Sequence, residues 1–159
     1  MTMPLSRLES FLRNEDVSFN KIIHHKTFTA QETAANAHIS GKEIAKTVIM
    51  KLDEQMCMIV LPGDMQIDFN LLKEATGAHQ IRLATEAEFK DLFVNCEVGA
   101  MPPFGNLYDM PVYVAEALTE FVFIAFNAGT HSMLIQMKYA DFERLVKPSI
   151  MKIAYHANY

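Results

Sequence analysis

The sequence predicts one α+β domain, with a mixed, mostly antiparallel sheet of about six or seven strands flanked by helices. Three observations predict it. Strand-like and helix-like segments follow one another with no repeating βαβ order, and several strand-like runs are consecutive. The length, 159 residues, suits a single domain. Half of the residues are hydrophobic and 21% are charged, the balance of a packed core rather than of a disordered tail. The expected unit is residues 1–159, with a core over about 17–146 and a C-terminal tail over 149–159.

The elements follow from local patterns. Leu5, Leu8, Phe11 and Leu12 fall at helical spacing, with Pro4 near the start. Val17, Phe19 and Ile22-Ile23 read as a strand ending at His24-His25. Thr29-Ala-Gln-Glu32 has the form of a capping box, opening a helix to Ala37. Ala45–Leu52 and Met56–Leu61 form a hairpin across Asp53-Glu54-Gln55, ended by Pro62-Gly63. Asp68 caps a helix that stops at Gly77, and Gln80–Leu83 is a short strand. Thr85-Glu-Ala-Glu88 is another capping box, with a helix running to Phe93. From Cys96 to Pro111 periodicity disappears. Val112–Ala117, Glu120–Phe126 and Ser132–Met137 read as strands, Tyr139–Val146 as a last helix stopped by Lys147-Pro148, and the apolar tail Ile150–Tyr155 as a segment that docks back.

Composition excludes several functions. The net charge of −5 argues against a broad electrostatic grip on nucleic acid, though a narrow basic site remains open. No apolar run approaches ~18 residues, so no membrane span is expected. Cys57 and Cys96 are isolated and no secretory signal is present, which fits free thiols in a reducing cytoplasm. Glu97 beside Cys96 disfavours a thiolate. There is no HExxH, no paired Cys/His set, no GxSxG, no Walker A loop and no GxGxxG. The eleven methionines are read first as core filler.

Three segments could carry chemistry. Lys46 enters an apolar strand, where a partly buried ammonium needs a partner and an anionic ligand would serve. A lysine that snorkels to solvent from the strand end is the plainer alternative. In Gly99-Ala-Met-Pro-Pro-Phe-Gly105, glycines permit close approach of the backbone and prolines stiffen it. Its amides, from Gly99, Ala100, Met101, Phe104 or Gly105, could face a carbonyl or oxyanion; otherwise the loop is a stiff connector. Asn127-Ala-Gly-Thr-His131 is a polar turn between apolar strands, where His131 is either a surface or capping residue or part of a site. His24 and His25, adjacent in a strand, point to opposite faces and cannot share a metal by simple spacing.

The order of His25 with Thr29-Ala-Gln-Glu-Thr-Ala-Ala35, Lys46-Thr47, a GxxxP loop at Gly99-Ala-Met-Pro-Pro103 followed by Phe104-Gly105, and Asn127-Ala-Gly-Thr-His131 resembles the YbaK/prolyl-tRNA-synthetase-associated domain family of aminoacyl-tRNA deacylases. The resemblance spans roughly Val17 to Val146. It implies a free-standing editing enzyme that hydrolyses the ester between a wrong amino acid and the 3′-terminal adenosine of a tRNA. The implied reaction is substrate-assisted, with no covalent enzyme intermediate, no metal and no cofactor. By the resemblance, Lys46 anchors the terminal phosphate, the loop from Gly99 positions the ester carbonyl and a water or ribose hydroxyl, and His131 lines the pocket or orients the attacking group. Substrate contacts would come from His25, Thr47, Ala100, Met101, Pro102, Pro103, Phe104, Gly105, Asn127, Gly129 and Thr130. Met101 and Phe104 are equally readable as pocket walls or as core. The implied partner is a tRNA acceptor end, delivered by an aminoacyl-tRNA synthetase or an elongation factor because the acidic chain grips tRNA weakly. A non-catalytic module of the same fold, sensing an aminoacyl or nucleotide ligand, is the alternative.

Overall fold

The computed structural model describes residues 4–25, 37, 40, 42–94 and 96–156. These form four α-helices and ten strands: α1 (Pro4–Asn14), β1 (Phe19–Ile23), β2 (Ala45–Leu52), β3 (Gln55–Pro62), β4 (Met65–Ile67), α2 (Phe69–Thr76), β5 (Ile81–Leu83), α3 (Glu86–Phe89), β6 (Val112–Ala115), β7 (Phe123–Asn127), β8 (Met133–Lys138), α4 (Tyr139–Val146), β9 (Ser149–Met151) and β10 (Ala154–His156). The expected second helix, with its capping box at Thr29, lies outside the described residues apart from Ala37, which is helical. The α+β class is as expected, but the strands are more numerous and divide among three sheets.

One sheet has the order β1-β8-β7, all antiparallel. The largest has the order β5-β2-β3-β6-β9 and is parallel at β3-β6 and β6-β9. A small pair joins β10 to β4. The first two sheets touch through a parallel bridge between Ile44 and Ala125, where the Ala125 amide donates to the Glu43 carbonyl at 2.9 Å.

Alternation of side chains then sorts the interior. Ala45, Ile49, Met58, Val60, Ile124, Phe126, Ile135 and Met137 face inward between the two sheets, with Leu8, Leu12, Phe104 and Phe142 filling the space. On the outer face of the large sheet, Met50, Leu52, Ile59 and Leu61 are covered by Leu72 of α2 and by Ile153. On the outer face of the three-stranded sheet, Ile44, Ala125 and Leu134 form a small cluster with Ile22 and Ala37.

Local chemistry explains several boundaries. The β2-β3 turn is two residues long, with Asp53 and Glu54 at φ of 50° and 67°. Positive φ at both centres is the turn geometry that matches strand twist. The Asp53 carboxylate accepts the His79 and Gln80 amides at 3.0 and 2.8 Å, which holds this strained residue in place. Asp68 caps α2 by accepting from Leu71, and Gly77 ends it at φ 74°. The Thr85–Glu88 capping box forms as expected, but the helix tightens into a 3₁₀ turn over Lys90–Phe93. The C-terminal tail does dock back, and does so as two strands.

Candidate functional site

The Asn127–His131 turn joins β7 to β8, so the ladder of the three-stranded sheet fixes its position. The Gly99 loop is stitched onto this turn by main-chain bonds. Gly129 donates its amide to the Ala100 carbonyl at 2.8 Å, and Glu97 donates its own to the Gly129 carbonyl at 2.8 Å. The Glu97 carboxylate accepts the His131 amide at 3.0 Å. The His131 ring, 6% exposed, places Nε2 at 2.7 Å from the Val98 carbonyl. A carbonyl only accepts, so Nε2 carries the proton and donates. Glu97 was read from sequence only as a neighbour of Cys96. Its role as the staple between the two segments has no local sequence signal, because the partner is 34 residues away.

Gly99 has φ of 84°, a conformation that glycine tolerates and other residues resist. A Cβ there would sit 3.5 Å from the His131 ring. A side chain at Gly99 would therefore rest against the His131 ring at ordinary van der Waals distance. Within the loop, the Ala100 amide is spent on the Glu97 carbonyl at 3.0 Å. Pro102 and Pro103 have no N–H. The amides of Gly99 and Met101 have no acceptor among the described residues.

Other loop residues serve the interior. Phe104 is fully buried, its ring 5.5 Å from both Phe126 and Phe142. This corrects its reading as a substrate contact: every side of the ring is taken by protein. Gly105 is also buried, and a Cβ there would lie 2.3 Å from the Met110 carbonyl oxygen. Glycine is needed there by packing of the chain on itself, not by approach of a ligand. Pro102 and Pro103 are buried too. Met101 belongs to the main core and also borders a depression of about 380 Å³ with Phe89, Phe93, Cys96 and Val98.

Lys46 stands on β2, opposite Leu61. It is half-buried and has no ion pair or hydrogen bond among the described residues. Burial pushes its ammonium below the ordinary lysine value, and Asp64 partly offsets this. The parallel bridge between Ile44 and Ala125 brings the start of β2 to the start of the Ala125–Asn127 run, and by alternation Lys46 faces the same side as Ile44, as Asn127 does with Ala125. Alternation sends Thr47 the other way, to the inner face of Ala45 and Ile49. The side chains of Lys46 and Thr47 therefore leave β2 on opposite faces. The Thr130 hydroxyl lies 3.4 Å from that of Ser132, folded back over the turn. His25 is exposed, while its neighbour His24 is buried.

Both thiols are unsuited to attack. Burial raises Cys57 to about 12 and pushes Cys96 up as well. Among the described residues no group of three or more His, Cys, Asp or Glu could hold a metal ion. No described helix is long and apolar enough to cross a membrane.

Known proteins resemble this chain in sequence and in fold. Proline--tRNA ligase of Bacillus cereus (strain AH187) is 29% identical over 92 residues, which cover 58% of this chain and 16% of that protein. The corresponding ligase of Bacillus cereus (strain G9842) is 26% identical over 107 residues, covering 67% of this chain and 19% of that one. This chain thus spans less than a fifth of those curated relatives. A crystal structure of a candidate trans-editing enzyme for prolyl tRNA synthetase matches with a TM-score of 0.83 at 18% identity, covering 98% of this chain and 99% of that one. A hypothetical protein also matches at 0.83, with 23% identity, covering 94% and 99%. At these identities the likeness is one of fold. The family model described as the aminoacyl-tRNA editing domain matches residues 24–145, and the chain belongs to that family.

Proposed function

We propose that this chain hydrolyses the ester of mischarged aminoacyl-tRNA, acting in trans on the acceptor end. The observation that carries the reading is the Gly99 loop, locked to the Asn127–His131 turn and holding two amides with no acceptor among the described residues, in a fold whose β2 also carries a half-buried lysine with no ion pair or hydrogen bond among them. Family membership and the proline--tRNA ligase relatives support it.

In this reading Lys46 binds the phosphate of the terminal nucleotide. The anion would supply the direct ion pair that the described residues do not give this ammonium, beyond the partial offset from Asp64. The Gly99 and Met101 amides donate to the ester carbonyl oxygen as it becomes an oxyanion. Water, or a ribose hydroxyl acting on it, adds to the carbonyl carbon. The tetrahedral intermediate then collapses, the 3′ oxygen leaves with a proton, and free amino acid and tRNA result. No side-chain nucleophile is required, in keeping with the two suppressed thiols. His131 works by holding the loop through the Val98 carbonyl, a positioning role. Because the ester is already activated, amide donors can carry much of the rate; losing one typically costs about 10²–10³.

Deacylation of a panel of mischarged tRNAs by wild type, Lys46→Ala and Lys46→Arg tests the reading. Lys46→Ala is expected to lose about ten- to a hundredfold in kcat/KM, mostly through KM, and Lys46→Arg to recover part of it. Since burial lowers the Lys46 pKa, the wild-type KM should rise on the alkaline side before an ordinary lysine would titrate. Full activity in Lys46→Ala removes the anchor role. Binding of charged tRNA without turnover of any of them makes the chain a sensing module instead.

A further inference from the structure

His24 is unclaimed by the mechanism above, yet it is buried. It is 9% exposed and continues β1 beyond Ile23, its amide donating to the Ser132 carbonyl at 2.9 Å. Its Nδ1 lies 2.6 Å from the His25 carbonyl oxygen. The carbonyl can only accept, so Nδ1 carries the proton, and in the neutral ring Nε2 is a bare acceptor. That Nε2 is buried and has no hydrogen-bond partner among the described residues. The side-chain oxygen of Asn127 is buried and likewise has none among them.

The register puts these two acceptors on one face. Ile22 pairs with Leu134, and Leu134 pairs with Asn127, so all three share a face; His24, two residues past Ile22, shares it too. Lys46 joins that face through the Ile44–Ala125 bridge. Across the strands the order is therefore Lys46, Asn127, Ser132, His24. Buried acceptors without donors are uncommon in folded proteins and point to a donor supplied from outside.

Resting on the deacylase reading, we infer that His24 Nε2 accepts a hydrogen bond from the α-ammonium of the aminoacyl group, and so fixes the end of the substrate remote from Lys46. Two donors lie near the scissile ester, that ammonium and the vicinal ribose hydroxyl. The strand order separates them. Three inter-strand steps of about 4.8 Å lie between the main chains of Lys46 and His24. In the deacylase reading the phosphate is bound at Lys46 and the ester at the Gly99 loop, so the ribose hydroxyl is held near the loop and the ammonium is the donor left to extend toward His24.

The test is calorimetric and independent of turnover. The probe is 3′-glycylamino-3′-deoxyadenosine 5′-phosphate, an uncleavable amide whose glycyl group lacks a side chain that a pocket could exclude. It is compared with its N-acetyl and 2′-deoxy forms on wild type, His24→Phe and His24→Gln. Wild type should lose about tenfold or more in affinity on N-acetylation. In His24→Phe the parent probe should weaken by about as much, and N-acetylation should cost nothing further. His24→Gln, which returns an acceptor, should restore part of the discrimination. If the 2′-deoxy probe is the one whose loss disappears in His24→Phe, the hydroxyl is the partner and the ammonium assignment is overturned. Equal weakening of all three probes makes His24 structural and also overturns it. A wild type that binds the parent probe and discriminates as expected, yet deacylates no tRNA, sinks the deacylase reading and leaves this recognition standing.

Discussion

At the scale of single residues, Gly99 and Gly77 form a natural pair. Both have positive φ, 84° and 74°, but a Cβ at Gly77 would meet open space, whereas one at Gly99 would meet the His131 ring. Each Ala substitution should cost about 1–2 kcal/mol from the backbone conformation. Only Gly99→Ala should also damage deacylation, by about tenfold or more, through displacement of its amide from the carbonyl. Thermal melts and kcat on both variants check this; equal loss of activity in the two would detach Gly99 from the chemistry. Gly99 was legible in the sequence as a residue that frees the backbone. Gly105 was legible as important but for another cause, since the Met110 carbonyl that forbids a side chain there is brought in by the fold. His24 was not legible at all. Its meaning depends on which sheet face it joins, and two adjacent histidines carry no sign of that.

At the scale of elements, β2, β5 and α3 are tied by one carboxylate. Glu88 Oε1 and Oε2 take the two terminal guanidinium nitrogens of Arg82 at 2.7 Å each, Lys51 adds a contact at 2.9 Å, and the Thr85 amide donates at 2.8 Å. The Arg82 guanidinium, first among these, holds the Glu88 carboxyl well below the usual carboxylate range. A carboxylate depressed on folding contributes stability above the unfolded value near ~4.3, and that contribution is lost as pH falls through the folded value. Glu88→Gln should therefore flatten the acid limb of a stability-versus-pH curve from urea melts, and lower the plateau at neutral pH. An unchanged acid limb would show that the cluster contributes nothing measurable, as many exposed ion pairs do not. The Thr85–Glu88 box could be read from four letters because its partners are local. The strands β4, β9 and β10 could not, since three residues show no period and their partners lie far along the chain.

At the scale of the whole molecule, the net charge of −5 limits how tRNA would be met under the proposed function. Contact through one lysine should give a plot of log affinity against log salt with a slope near ~1, since each neutralised phosphate contributes about 0.7–0.9. Fluorescence titration of charged tRNA at several salt concentrations measures it, and a slope of about six or more would reveal a broad basic surface instead. The α+β class was legible because it rests on the order of elements. The division into sheets was not, because the Ile44–Ala125 bridge that joins two of them is a single contact between segments far apart. The returning tail has a further consequence. β9 lies parallel beside β6, β10 pairs with β4, and Ile153 between them is wholly buried against the outer core. Residues 149–156 thus complete surfaces laid down by residues 57–67 and 112–115. The domain therefore cannot finish folding until residues 149–156 are available, and removing them would leave apolar surface of the outer core open to water.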